Sequence, residues 1–82
     1  MLSRDEVYRR LARYLTDMFE VPEEKIRLEA RLYEELDLDS IDALDLVVKL
    51  QEITGRRISP QEFKTVRTVG DVVDRVTALL HA

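Results

Sequence analysis

The residues best placed to do chemistry are Ser40 and two nearby aspartates, Asp39 and Asp42. A serine becomes a strong nucleophile when an adjacent base takes its proton, and aspartate carboxylates are weak bases. The chain has no cysteine, and its single histidine, His81, is the penultimate residue. Disulfides and thiolate metal sites are therefore excluded, and no zinc site or histidine-dependent catalysis is expected. Ser40 is then either an ordinary helix-start residue or a target for another enzyme, and the chain itself is predicted not to be an enzyme.

An acidic segment surrounds this serine. Residues 32–48 contain six carboxylates and no Lys or Arg, whereas the whole chain of 82 residues has a net charge of −4. A concentrated acidic surface attracts basic partner surfaces and speeds their encounter, although it can also be merely a solvated face. A calcium loop counted from Asp37 fails, because its sixth residue is Asp42 rather than Gly and its twelfth is Val48 rather than Glu. We reject an EF-hand on that pattern.

Start and stop signals predict three main helices and one short helix. A capping box at Ser3 opens the first helix over about residues 4–19, and Pro22 lies just beyond its end. Asp39 caps the second helix, whose third residue is Asp42, and Gly55 ends it. Two more helix starts follow. Another capping box, Ser59-Pro60-Gln61-Glu62, opens a short helix through Phe63, and Thr68-Val69-Gly70-Asp71 starts the last helix.

Apolar residues at helical spacing supply the candidate core. A long connection over residues 20–38 carries spaced apolar anchors, so it is predicted to be pinned across that core, with one helical turn near residues 32–36. Candidate core residues are Val7, Leu11, Tyr14, Leu15, Met18, Val21, Ile26, Leu28, Leu32, Leu36, Ile41, Leu44, Val47, Val48, Leu50, Ile53, Val69, Val72, Val73, Val76, Leu79 and Leu80. The fold class is all-α: a small four-helix bundle forming one domain over residues 1–82.

The tripeptide Asp39-Ser40-Ile41 at this position resembles the Asp-Ser-Leu motif of acyl carrier proteins. The resemblance extends through the acidic second helix, the short third helix and the Thr68 start of the fourth, and it covers nearly the whole chain. It implies that 4′-phosphopantetheine from coenzyme A is attached to Ser40 by a phosphopantetheinyl transferase. The arm would hold acyl groups as thioesters for fatty-acid or polyketide synthase enzymes.

The same resemblance implies a docking surface on the second helix. Ketosynthase and other acyl-processing enzymes would present basic patches to it. The implied contacts are the carboxylates of Asp39, Asp42, Asp45 and Glu52 and the apolar side chains of Ile41 and Val47. Exposed ion pairs give little net energy each, so this docking is expected to be weak and salt-sensitive.

Three residues depart from the usual family pattern. Asp37 replaces a common glycine, Ile41 replaces leucine, and Lys49 adds a positive charge to a helix that is usually more uniformly acidic. Only glycine tolerates a positive φ cheaply, so Asp37 changes the freedom of the backbone before the serine. Residues 32–42 are more similar to specialised bacterial carriers, such as those of aryl-polyene or related polyketide pathways.

Two alternatives remain open from the sequence. The chain could be a peptidyl or aminoacyl carrier, which only its cargo distinguishes, or a helical adaptor without a covalent cofactor and with a stable partner. Nucleic acid is not expected as a partner, because the net charge of the chain is −4, and Arg56, Arg57, Lys64 and Arg67 are more simply a solvated basic face. No apolar run approaches the length of a membrane span, and a cytoplasmic monomer is the simplest expectation.

Overall fold

Caps and apolar stripes divide the chain into three α-helices. The computed structural model describes residues 2–63 and 65–81, apart from the side chains of Pro60 and Glu62. The helices are α1 (Arg4–Phe19), α2 (Ser40–Thr54) and α3 (Val69–Leu80), and short 3₁₀ helices cover Glu23–Lys25 and Pro60–Phe63. The described ranges contain no strand, only one isolated bridge between Arg31 and Thr68. The predicted all-α class is confirmed.

Capping boxes are present at all three α-helices, of which the sequence predicted the one at Ser3 and the helix starts at Asp39 and Thr68. Ser3 caps α1, Asp39 caps α2 and Thr68 caps α3, and each accepts a hydrogen bond from the backbone of the residue three positions later. In each box the side chain of that third residue accepts a hydrogen bond from the backbone N–H of the cap. Each pair satisfies two backbone N–H groups that have no partner within the helix, so the starts of all three helices are fixed locally.

The short third helix is a 3₁₀ helix rather than an α-helix. The Gln61 N–H donates to the Ser59 hydroxyl oxygen at 3.2 Å, so Ser59 caps it as predicted. The other half of the predicted box belongs to the Glu62 side chain, which lies outside the described atoms, as does Lys64 of the predicted basic patch. Phe63 is buried and anchors this segment in the core.

The core lies between α1 and α3, with α2 packed against both helices. It is made of aliphatic side chains and one phenylalanine: Val7, Leu11, Leu15, Val21, Ile26, Ala30, Leu32, Leu36, Leu38, Leu46, Val47, Leu50, Ile58, Phe63, Val66, Val69, Val72, Val73 and Val76. No polar or charged residue of the described chain is buried. Burial of the valine-rich face of α3 supplies the stability that valine's modest helix propensity does not.

The long connection is pinned across this core, as predicted, but partly by its backbone. The N–H of Leu32 donates to Arg67 O at 2.9 Å, and Gly70 N–H donates to Leu28 O at 2.9 Å. The predicted turn near residues 32–36 is present, with Leu36 N–H donating to Arg31 O at 3.1 Å. The prediction that Leu28 is a core anchor is wrong, since 36% of its surface is exposed and its carbonyl oxygen makes the attachment instead.

Candidate functional site

Ser40 is the first residue of α2, and the preceding cap fixes its position. The Asp42 N–H donates to Asp39 Oδ1 at 2.8 Å, and the Asp39 N–H donates to Asp42 Oδ2 at 3.2 Å. Both aspartates therefore bond to backbone groups, and capping does not use the serine. The Ser40 side chain is exposed and makes no hydrogen bond within the described part of the chain. Its hydroxyl is accessible to another molecule.

The segment that leads into the serine is held on both sides of Asp37. Leu36 and Leu38 are both buried, and the Leu38 N–H donates to Leu32 O at 3.1 Å. Asp37 itself is exposed and has a φ of +57°, in the left-handed region that favours glycine. The chain therefore enters α2 from a fixed point in the core, which orients the helix start outward.

An apolar stripe lies on the solvent side of α2. Ile41 is 67% exposed, Leu44 49% and Val48 56%. Residues three and four apart share one side of a helix, so these three side chains form a continuous surface next to Ser40. Exposed apolar side chains in such a group mark an interaction site more often than isolated ones do.

The predicted docking residues do not all share this face. Ile41 and the carboxylates Asp39, Asp45 and Glu52 are exposed, and Asp42 is half-buried. The prediction that Val47 is an apolar contact is wrong, because only 4% of its surface is exposed and it packs in the core.

Sequence reasoning missed Leu44 and Val48 as surface residues and assigned both to the core. A signal was present, since α2 carries apolar residues on two opposite sides of the helix. Leu46 and Leu50 lie about half a turn away from the stripe, at roughly 100° per residue. A helix that is buried on one side only does not need both sets.

Lys49 lies on the side of α2 that faces α1. Its Nζ is 3.4 Å from Glu52 Oε2 and 5.8 Å from the centroid of the Tyr14 ring. A cation over an aromatic face is attracted to it, so the ring and the carboxylate together hold the ammonium group in place. The second half of α2 thus carries the neutralised pair of Lys49 and Glu52 instead of a free carboxylate.

The site shows no arrangement for catalysis or metal binding. Within residues 2–63 and 65–81 no group of three or more His, Cys, Asp or Glu side chains is placed to hold a metal ion. No described helix is both long and apolar enough to cross a membrane. The arrangement of an accessible hydroxyl, carboxylates and an apolar stripe is suited to binding and being modified by another protein.

Comparisons with known proteins agree on one family. The family described as "phosphopantetheine attachment site" matches residues 9–76. The chain is 52% identical over 81 residues to acyl carrier protein 2 of Ralstonia nicotianae, covering 99% of this chain and all of the relative. It is 32% identical over 80 residues to the acyl carrier protein of Coprothermobacter proteolyticus, covering 98% of each.

Solved structures give the same result for the fold. The acyl carrier protein of Thermotoga maritima superposes with a TM-score of 0.81 at 27% identity, covering 95% of this chain and 91% of that one. The acyl carrier protein of Enterococcus faecalis superposes with a TM-score of 0.77 at 25% identity, covering 94% and 98%. None of these comparisons separates fatty-acid from polyketide synthesis, so the specialised pathway stays a prediction.

Proposed function

The chain belongs to the acyl carrier protein family, and we propose that Ser40 is the residue to which its 4′-phosphopantetheine is attached. It is a carrier rather than an enzyme, and its cofactor is covalently bound. The observation that carries the assignment to Ser40 is its position: an exposed hydroxyl at the first residue of a helix whose cap is made by its neighbours. We propose a single carrier domain over residues 1–82, acting in the cytoplasm, where coenzyme A and synthase enzymes are found together.

The residues present fit a phosphodiester on this serine. The Ser40 side chain points away from the core, so a bulky group can be attached without disturbing the packing. The positive end of the α2 dipole favours a negative charge at the first helical residue, which offsets part of the repulsion from Asp39 and Asp42. When bound, the arm supplies a terminal thiol that carries acyl groups as thioesters.

The chain supplies the accepting hydroxyl but not the base. In the loading step Ser40 Oγ forms the new P–O bond to the β-phosphorus of coenzyme A. The P–O bond to the 3′-phosphoadenylate breaks, and adenosine 3′,5′-bisphosphate leaves. The proton of Ser40 goes to a base of the transferase, since no base of this chain bonds to the serine hydroxyl within the described residues.

Docking on the transferase and on acyl-processing enzymes such as ketosynthases is proposed to use α2. The carboxylates of Asp39, Asp42 and Asp45 pair with basic side chains of the enzyme. The apolar stripe that begins at Ile41 makes the hydrophobic contact. Exposed ion pairs contribute about 0.2–1 kcal/mol each, so several together still give a weak complex. Weak docking is suited to a carrier that must leave each enzyme in turn.

The experiment is intact mass after incubation with coenzyme A, Mg²⁺ and a broad-specificity phosphopantetheinyl transferase. Wild type is expected to gain one phosphopantetheinyl group and Ser40→Ala none. Ser59→Ala is the matched control, because Ser59 is an exposed serine beyond the opposite end of α2 from Ser40, and this variant should be loaded like wild type. Circular dichroism establishes that all three fold. Loading of Ser40→Ala, or no loading of folded wild type by two different transferases, would contradict the proposal.

A further inference from the structure

Charge along α2 changes from negative at its Ser40 end to neutral around Lys49 and becomes positive just beyond Gly55. The first two turns carry Asp39, Asp42 and Asp45, and the acidic connection precedes them. Lys49 in the third turn is paired with Glu52 in the fourth, so this part of the helix presents no net charge. With 15 residues at 1.5 Å per residue, α2 is about 22 Å long, so the acidic charge occupies only its Ser40 end.

The segment that follows α2 is basic, and its backbone is fixed in position. Gly55 ends the helix with a φ of +66°, and the exposed Arg57 follows two residues later. The Arg56 N–H donates to Thr54 Oγ1 at 3.2 Å, and the Ile58 N–H donates to the Gln51 side-chain oxygen at 2.8 Å. These bonds hold the backbone on both sides of Arg57 against the last turn of α2.

Lys49 is held through its side chain. The Tyr14 ring and Glu52 contact its ammonium group from α1 and from the next turn of α2. Its side chain nevertheless remains 41% exposed, so a partner that covers α2 meets its charge. The apolar stripe of Ile41, Leu44 and Val48 extends from the Ser40 end of α2 to the residue before Lys49.

We propose that the docking face is bipolar and selects partner enzymes of matching polarity. Such a partner has basic side chains around its active-site entrance, where Ser40 is presented. It has acidic side chains farther along the contact, about 14 Å away opposite Lys49 and at the far end of α2 opposite Arg57. A partner that is basic along the whole contact is disfavoured, because like charges placed opposite each other oppose docking. This inference rests on the proposed loading of Ser40 and on docking through α2.

The test measures loading kinetics with a phosphopantetheinyl transferase whose docking surface is basic throughout. Lys49→Glu and Arg57→Glu are each expected to lower KM about threefold to fivefold, with kcat unchanged, because each exchanges an opposed pair for a favourable exposed one. The difference should shrink in about 1 M salt, where the Debye length falls to roughly 3 Å. Lys49→Met removes the charge without adding another, and thermal melts of all variants monitor folding.

The matched control is Arg9→Glu. Arg9 is an exposed residue on the side of α1 that faces Ile26, and its substitution changes the net charge by the same amount. It is expected to change KM less than twofold. If Lys49→Glu and Arg57→Glu change KM no more than Arg9→Glu does, placement is irrelevant and the bipolar face is overturned.

A second arm tests polarity on the enzyme side. One Lys or Arg of the transferase that faces the Arg57 end is changed to Glu, and a double-mutant cycle is measured with Arg57→Glu. Wild-type carrier is expected to prefer the altered transferase and Arg57→Glu the original, whereas additive effects would overturn the proposal. Failure of every variant to gain mass would instead contradict the proposed function. Loaded variants with equal KM contradict only the bipolar face.

Discussion

Replacing Asp37 by glycine is expected to stabilise the fold, because this residue is held in a conformation that glycine adopts more easily. Its φ is +57°, and it follows the single helical turn near residues 32–36, much as Gly55 follows α2. The conformation cannot relax, since Leu36 and Leu38 on either side are both buried. The backbone at Asp37 is therefore imposed by the packing of its neighbours.

The size of the effect follows from two opposing terms. A left-handed backbone costs an L-residue about 1–2 kcal/mol, and aspartate is at the lower end because its short polar side chain tolerates this region. Glycine offsets about 0.4–1 kcal/mol of this gain, because it gives the unfolded chain greater conformational entropy. Asp37→Gly is thus expected to raise the free energy of unfolding by about 0.5 kcal/mol, and Asp37→Ala to lower it by a similar amount.

The assay is urea denaturation followed by circular dichroism. With an m-value of about 1 kcal/mol/M for a small domain, the midpoint should rise by about 0.5 M for Asp37→Gly and fall by about as much for Asp37→Ala. Asp37→Asn is the control for charge, because asparagine keeps the tolerance for positive φ and loses the carboxylate. Equal stability of the alanine and glycine variants would refute the argument from the backbone, and an asparagine variant matching glycine would assign the gain to charge.

Two further predictions concern the start of α3. A Cβ at Gly70 would lie 3.1 Å from the carbonyl oxygen of Leu28, which already accepts the Gly70 N–H. Gly70→Ala should therefore lower the free energy of unfolding by about 1 kcal/mol despite alanine's better helix propensity. A urea midpoint equal to that of wild type would contradict this prediction. Backbone hydrogen bonds from Arg67 and then Thr68 hold the pKa of Asp71 below its usual range. The contribution of Asp71 to stability is therefore present above about pH 4 and is lost as the pH falls through its lower pKa in the folded state. In urea titrations the stability difference between wild type and Asp71→Ala should shrink on acidification. A difference that stays constant with pH would contradict this prediction.

Helix boundaries could be predicted because short-range signals determine them. Ser3, Asp39 and Thr68 are good caps with carboxylates three residues later, so these helix starts could be predicted from the sequence alone. Gly55 was likewise predicted as the end of α2. The left-handed residues Glu20 and Asp37 were not, because acidic residues adopt a positive φ too seldom for the residue type to identify the position. Their conformations come from the chain reversals that tertiary packing requires.

The division of α2 into two apolar sides could not be predicted with the same certainty. Periodicity identifies apolar stripes, but which stripe faces the core depends on how the helix sits on α1 and α3. Val47 was therefore predicted both as a core residue and as a partner contact, and Leu44 only as a core residue; the structure buries Val47 and exposes Leu44. The attachment of the long connection to α3 was also missed, because it uses backbone groups of Leu28 and Leu32 that no side-chain pattern reveals.

The start of α2 gives Asp39 and Asp42 two purposes at once. Their carboxylates close the capping box, and removing such a cap costs about 0.5–2 kcal/mol, so a change at either residue disturbs the helix start as well as the acidic surface. Asp45 differs, because it is exposed and makes no hydrogen bond or ion pair within the described residues. Its charge is therefore available to a partner, so Asp45→Asn tests the proposed docking without a change at the helix start. The carboxylates that place Ser40 at the first helical position are also those that the proposed docking uses, so replacing either one by alanine removes the cap together with the charge.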